Sequence, residues 1–217
     1  AIAGEKAGII KDNIPVVIGE TNGHSEVREV FFQTAASHQS PVIYAEESGA
    51  VVSSNATPDG RRNYVTTEYG ILHGELGGLC QEKNTATILC AVEELRKTGY
   101  NITHQHVRNG VASVCETTGL MGRWQKLSKQ PLTICDTGHN PGGIQYIAQQ
   151  LAEVPYRHLH IVIGMVSDKD IAQSLSLFPK NATYYFTQAS VKRAMQSTEF
   201  AKIAHSIGPN GKAFPAI

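Results

Sequence analysis

Short apolar runs alternate with stretches of helical periodicity along most of this chain, and that alternation limits the folds it can adopt. Residues 15–19 and 41–45 are apolar runs of strand length, and between them Val27, Val30 and Phe31 follow helical spacing. A strand, a helix and a strand in that order predict a βαβ unit with a parallel strand pair. We therefore expect an α/β protein.

The second half of the chain repeats the pattern. Residues 131–135, 158–165 and 182–187 are predicted strands, and helices are predicted over 141–153, from 168 or 169 onwards, and over 199–207. Three such units predict a small Rossmann-like domain, with no further strand before residue 217. The pattern of the chain changes over residues 116–130, before the new series of strands and helices starts. This change predicts a domain boundary near residue 120, with domains over 1–120 and 121–217.

Between these two regions the pattern is different. Residues 48–76 are polar and rich in turn residues, which predicts an antiparallel excursion at the edge of a sheet. A helix is predicted to follow from about Asn84 to Lys97, with Asn84 as its N-cap.

Charge and composition exclude some classes of partner. Nineteen basic residues balance nineteen acidic ones without blocks of either sign, which argues against binding to nucleic acid or to a membrane surface through bulk charge. The four cysteines show no metal-ligand spacing, which favours reduced thiols in a cytoplasmic protein. The chain starts without Met, inside what reads as structured sequence, so we expect a fragment.

The segment Asp-Thr-Gly-His-Asn-Pro at 136–141 directly follows a predicted strand. Ligands of open α/β sheets bind at such strand ends. Asn140 suits a helix N-cap and Pro141 the first helical position, so Asp136 and His139 are expected to face the crevice beside a helix start that favours phosphate. The alternative is that Asp136 and Asn140 only satisfy backbone donors in a tight turn, and spacing alone leaves both open.

Five segments, in order, resemble the Mur ligase superfamily and specifically its folylpolyglutamate and dihydrofolate synthases. The family patterns are EKAGIIK, GxHQxxN, GRx(Q/E), DGAHNP and GxxxDKD. They are similar to residues 3–11, 78–84, 122–125, 136–141 and 163–170 of this chain. The chain departs from them with Cys80 in place of His and with Thr137 where Ala or Gly is usual.

The resemblance implies roles for individual residues. Lys6 matches a lysine that is carbamylated in the family and then binds Mg²⁺. Asn84 matches an adenine-contacting asparagine, and Gln81 is a further candidate for the nucleotide pocket. Arg123 matches the arginine that reaches the ATP phosphates. Asp136 matches the ribose-binding aspartate, and His139 matches a histidine near the phosphates and the substrate.

For the charged segment at 168–170 we prefer a different interpretation. Asp168, Lys169 and Asp170 are expected to be a helix N-cap with surface charges, although they match the family pattern.

The fold and reaction follow from the same resemblance. Residues 1–120 are expected to be the C-terminal part of a P-loop-type ATPase domain, and residues 121–217 a truncated Rossmann-like Mur ligase C-terminal domain. The implied reaction uses ATP and Mg²⁺ to join L-glutamate to dihydropteroate or a folate through an acyl phosphate. The parent protein is expected to be a monomer.

The phosphate-binding P-loop itself is absent. No G-x-x-x-x-G-K-[ST] pattern occurs in the 217 residues, and the segment Gly-Pro-Asn-Gly-Lys at 208–212 has the wrong spacing. We therefore expect these residues alone to be inactive. Two alternatives stay open: another amino-acid ligase of the Mur superfamily, and a non-catalytic Rossmann-like binding module.

Overall fold

The computed structural model describes residues 2–21, 23–167 and 171–215. The chain divides into two compact units, Ala1–Thr133 and Ile134–Ile217. The segment just after residue 120 packs within the first unit, where Trp124 and Lys126 line a cavity together with Asp59 and Glu75. The predicted domain boundary near residue 120 stays a prediction.

The first unit begins with the predicted βαβ arrangement. Its elements are α1 (Ile2–Ala7), β1 (Val16–Ile18), α2 (Ser25–Ser37), β2 (Val42–Tyr44) and a 3₁₀ turn at Ala45–Glu47. Strands β1 and β2 pair in parallel, with Val16 opposite Val42, so the prediction of a parallel pair is confirmed. Ala7, Ile10 and Ala35 form a small buried core between α1 and α2.

The polar region in the middle of the chain is antiparallel, as predicted. Its strands are β3 (Val51–Ala56), β4 (Arg62–Thr66) and β5 (Gly70–Gly74). The prediction of an excursion at the edge of a larger sheet was wrong, because these strands form a three-stranded sheet of their own. Tyr64 and Leu72, which lie opposite each other on β4 and β5, are buried against Leu89 of the following helix and Val107.

Three helices complete the first unit. They are α3 (Gln81–Lys97), α4 (His104–Ala112) and α5 (Val114–Thr118). Helix α4 starts with a capping box, in which the Thr103 hydroxyl accepts from the His106 amide and the His106 ring contacts the Thr103 amide.

The chain then passes through two short paired strands into the second unit. These strands are β6 (Gln125–Lys129) and β7 (Leu132–Cys135), which form a two-stranded sheet. The remaining elements are α6 (Pro141–Ala152), β8 (His160–Ile163), α7 (Ile171–Ser176), β9 (Thr183–Phe186), α8 (Ser197–Ile207) and β10 (Asn210–Ala213). Strands β8, β9 and β10 form a parallel sheet in the order β10-β9-β8.

Two expectations for this unit were wrong. We predicted β7 as the first strand of the Rossmann-like sheet, but it pairs with β6. We also predicted no strand after α8, whereas β10 pairs in parallel with β9. Its Gly211 lies so close to β9 that a Cβ there would be 2.1 Å from the Tyr184 carbonyl oxygen, which explains how an Asn-Gly-Lys run fits a strand.

The second unit has its own hydrophobic core. Tyr184, Phe186, Leu175, Phe200 and Ala204 are fully buried there, and α7 and α8 pack against each other. The predicted cap at Asp168, Lys169 and Asp170 lies outside the described residues. Over the ranges that the structure describes, no helix is both long enough and apolar enough to cross a bilayer.

Candidate functional site

The loop between β7 and α6 has the N-cap and the first helical residue that the sequence predicts, and Asp136 and Asn140 both accept from backbone amides, as in the alternative interpretation. Asn140 is the N-cap of α6, and its side-chain oxygen accepts a hydrogen bond of 2.8 Å from the Gly143 amide. Pro141 occupies the first helical position, and the half-buried Asp136 accepts a bond of 2.7 Å from the Gly138 amide. The loop therefore holds a carboxylate beside the positive end of a 12-residue helix.

Gly138 allows this loop to lie directly on the helix. A Cβ at this position would be 2.5 Å from Ile147 Cδ1 and 3.2 Å from Asp136 Oδ1. A side chain at residue 138 would therefore displace either the helix or the carboxylate. Thr137, which departs from the family pattern, is exposed, so its side chain does not have to fit between the loop and the helix.

His139 is exposed at the same helix start. Its Nδ1 lies 3.1 Å from the Thr137 carbonyl oxygen. Because a carbonyl only accepts, Nδ1 carries the proton in this bond and Nε2 is the ring atom that can serve a ligand. Nε2 can donate to a phosphate only when the ring is protonated.

A second group of predicted residues lies at the start of α3. The helix begins at Gln81, so the prediction of a start and N-cap at Asn84 was wrong, and Cys80 occupies the N-cap. Asn84 Nδ2 donates to Gln81 Oε1 at 3.2 Å, as residues three apart on a helix can. Gln81 is buried and Asn84 is exposed, so the pair presents an amide group at the surface.

Arg123 is exposed in a turn with unusual backbone angles. Its neighbours Gly122 and Trp124 have φ values of 69° and 52°, in the left-handed region. The Gly122 amide donates to Gln125 Oε1 at 2.9 Å across the turn. We assigned no role to Gln125 from the sequence, although the family pattern contains Gln or Glu at that position.

Lys6 is exposed on α1, which packs against α2, and so lies on a different element from the Gln81–Asn84 pair. Within the described ranges, no three His, Cys, Asp or Glu side chains are grouped as a metal site requires. A carbamylated Lys6 would supply one anionic ligand. The described residues therefore offer no cluster of three such side chains for Mg²⁺, which proteins commonly hold with one or two carboxylates together with substrate phosphates.

Comparison with known proteins first defines the class. Residues 122–216 match the family described as "Mur ligase, glutamate ligase domain". The matched range includes Arg123 and the loop of Asp136 and His139. This part of the chain is therefore similar to the C-terminal domain of Mur ligases. The predicted α/β fold class is confirmed.

The particular relatives are folate enzymes. The chain is 31% identical over 185 residues to the dihydrofolate synthase/folylpolyglutamate synthase of Escherichia coli, covering 81% of this chain and 38% of that protein. For the Bacillus subtilis protein of the same name the identity is 28% over 173 residues, covering 77% and 39%.

A solved structure agrees with these relatives. The Mycobacterium tuberculosis folylpolyglutamate synthase complexed with ADP superposes with a TM-score of 0.84 at 26% identity, covering 99% of this chain and 49% of that one. The resemblance to folylpolyglutamate and dihydrofolate synthases is thus confirmed. The chain spans less than half the length of each of these three proteins.

Proposed function

We propose that this chain is part of an ATP-dependent ligase that adds L-glutamate to dihydropteroate or to a (tetrahydro)folate. The observation that carries the proposal is the loop of Asp136, Gly138 and Asn140 at the start of α6, within a Mur ligase C-terminal domain. The similar M. tuberculosis enzyme, which is complexed with ADP, supports a nucleotide as the ligand.

The proposed reaction proceeds in two transfers. An oxygen of the acceptor carboxylate attacks the γ-phosphorus of ATP, and ADP leaves to give an acyl phosphate. The glutamate amine then attacks the acyl carbon, loses a proton and expels inorganic phosphate. Both steps depend mainly on positioning and on neutralising negative charge.

The residues of the second unit and the turn before it supply ribose and phosphate contacts in this proposal. The Asp136 carboxylate accepts from a ribose hydroxyl, while the guanidinium of Arg123 donates to phosphate oxygens in a planar fork. His139 donates to a phosphate through Nε2 when its ring is protonated. The surface amide of the Asn84–Gln81 pair contacts the adenine.

The metal, the cellular location, the oligomeric state and the partners belong to the same proposal. We propose Mg²⁺ as the cation that accompanies ATP, with a carbamylated Lys6 as one ligand, and we assign it no step because the described residues do not complete its site. The whole protein is proposed to be a cytoplasmic monomer with small-molecule partners and without nucleic acid or membrane partners.

These 217 residues alone are proposed to be inactive. A P-loop donates several hydrogen bonds to the β- and γ-phosphates, and each charge-assisted bond contributes about 1.5–3 kcal/mol. The pattern that makes this loop does not occur in the sequence. The nucleotide affinity of these residues alone is therefore expected to be lower by several orders of magnitude.

The test is glutamate-dependent ADP release, with dihydropteroate and tetrahydrofolate as acceptors. It compares the 217-residue chain with the longest protein that carries it, and with Asp136→Ala, Arg123→Ala and the exposed control Gln149→Ala in that protein. We expect activity only in the longer protein, a loss of at least about 100-fold in the two site variants and none in the control. A folded longer protein that is inactive with both acceptors would contradict the proposal.

A further inference from the structure

The turn that carries Arg123 is held by a side chain of its own. Gly122 and Trp124, on either side of Arg123, both have positive φ, and the Gly122 amide donates to Gln125 Oε1 at 2.9 Å. Positive φ is sparsely populated by residues other than glycine and persists only where the surroundings fix it. The Gln125 side chain closes the turn and thereby fixes the backbone from which Arg123 projects.

Trp124 anchors the same turn on the first unit. Its side chain is 8% exposed and lines a cavity of about 220 Å³ together with Leu76, Leu120 and Cys115. A hydrogen bond joins two residues of the cavity wall, because the Glu75 carboxylate accepts a bond of 2.6 Å from the Cys115 amide. The turn therefore rests on a fixed surface.

Lys126, which directly follows the turn in sequence, provides a second attachment. A Cβ at Gly60 would lie 2.7 Å from Lys126 Cε, so the lysine stem runs directly over the Gly60 backbone. Lys126 Nζ also donates to the Pro58 carbonyl at 3.4 Å. The segment is thus attached after Arg123 by both Trp124 and Lys126, while the Arg123 side chain stays exposed.

We propose that Gln125 is a positioning residue for Arg123: its bond to the Gly122 amide, with the Trp124 anchor, holds the guanidinium in the direction that meets the nucleotide phosphates. This inference rests on the proposed function, in which Arg123 contacts those phosphates. Displacement of a catalytic contact by about 1 Å can cost about 100-fold in rate. Loss of the Gln125 bond therefore slows catalysis only if Arg123 is present to be misplaced.

The experiment is a double-mutant cycle on glutamate-dependent ADP release, in the longest protein that carries the chain. The variants are Gln125→Ala, Gln125→Glu, Arg123→Ala and the double variant Arg123→Ala/Gln125→Ala, with Gln149→Ala as the matched control. We expect Gln125→Ala to lower kcat at least tenfold. Gln125→Glu should restore most of the rate because a carboxylate accepts the same bond, and the double variant should be no slower than Arg123→Ala alone.

Amide hydrogen exchange on the same variants reports on the turn without any reaction. The Gly122 amide is expected to be protected in the wild type and in Gln125→Glu, and to exchange faster in Gln125→Ala. The positioning role is overturned if Gln125→Ala is fully active, if it slows the Arg123→Ala background by the same factor, or if the wild-type Gly122 amide is unprotected. A wild type without ligase activity instead overturns the proposed function, and the role with it, whatever the exchange data show.

Discussion

At the scale of single residues, the site loop depends on a position where no side chain fits. Gly138 lies between α6 and Asp136, with Ile147 Cδ1 only 2.5 Å from where a Cβ would be. Gly142, four residues on, has a different surrounding, since a Cβ there would meet only Asn140 Oδ1, at 3.7 Å. The two glycines therefore differ in what an added methyl group would displace.

Gly138→Ala is expected to destabilise the protein by about 1–3 kcal/mol, as overpacking does, and to weaken the contribution to activity that we propose for Asp136. Urea unfolding and ADP release measure the two effects. Adding Ile147→Val, which removes the Cδ1 atom, should recover part of the stability. Gly142→Ala is the matched control and should be neutral or slightly stabilising. Equal stability of Gly138→Ala and Gly142→Ala would contradict the prediction.

At the scale of elements, sequence predicted best where the determining chemistry is local. The start of α6 follows from Asn140 and Pro141, whose cap and φ preferences act within one turn. The start of α3 did not follow, because Asn84 suits an N-cap but the helix extends back to Gln81. Strand β10 was missed because its Asn-Gly-Lys run becomes a strand only through its pairing with β9.

The candidate site shows the same limit. The Gln81–Asn84 pair was not predicted as neighbours on one helix face, because the helix was predicted to start at Asn84. The two residues lie close together only because α3 starts at Gln81. The hydrogen bond of Gln125 could not be predicted from the sequence, because its partner is a backbone amide in a turn with positive φ. Lys6 illustrates a third case: only the resemblance to the family implies a ligand there, and no local pattern supplies the carboxylates that would accompany it.

Strand β9 carries a prediction about alkaline pH. Burial raises the pKa of Tyr184 to about 12, with Tyr156 as a smaller cause, and the hydroxyl donates to the Pro179 carbonyl at 2.6 Å. The unfolded chain ionises tyrosine near pH 10. Stability from this group is therefore complete below about pH 10 and is lost as the pH rises towards 12.

Urea unfolding at about pH 8 and about pH 11, which lie on either side of the tyrosine pKa in the unfolded chain, measures this loss. Tyr184→Phe should be less stable at the lower pH by about 1 kcal/mol, through the lost hydrogen bond, and should lose less stability on going to the higher pH. Tyr100→Phe, at a 63% exposed position, is the control and should keep the wild-type pH dependence. An unchanged pH dependence in Tyr184→Phe would argue against the assignment.

At the scale of the whole molecule, each compact unit has its own buried core. The core of the second unit is centred on Phe186 and Phe200, whose rings meet edge to face with centroids 5.3 Å apart. The main core of the first unit contains Tyr64, Leu72 and Leu89. Separate cores of this kind allow one part of a chain to lose stability while another keeps it.

Phe200→Ala is therefore expected to destabilise the second unit by about 3–5 kcal/mol, because the side chain is fully buried. In hydrogen exchange, the amides of β8, β9 and α8 should lose protection, whereas those of β4, β5 and α3 should keep it. Phe32→Ala, at a 52% exposed position, is the control and should leave both cores protected. Equal loss of protection in both cores would show that they unfold as one cooperative unit, and the residues proposed to bind nucleotide at α3 and at α6 would then depend on a single folding event.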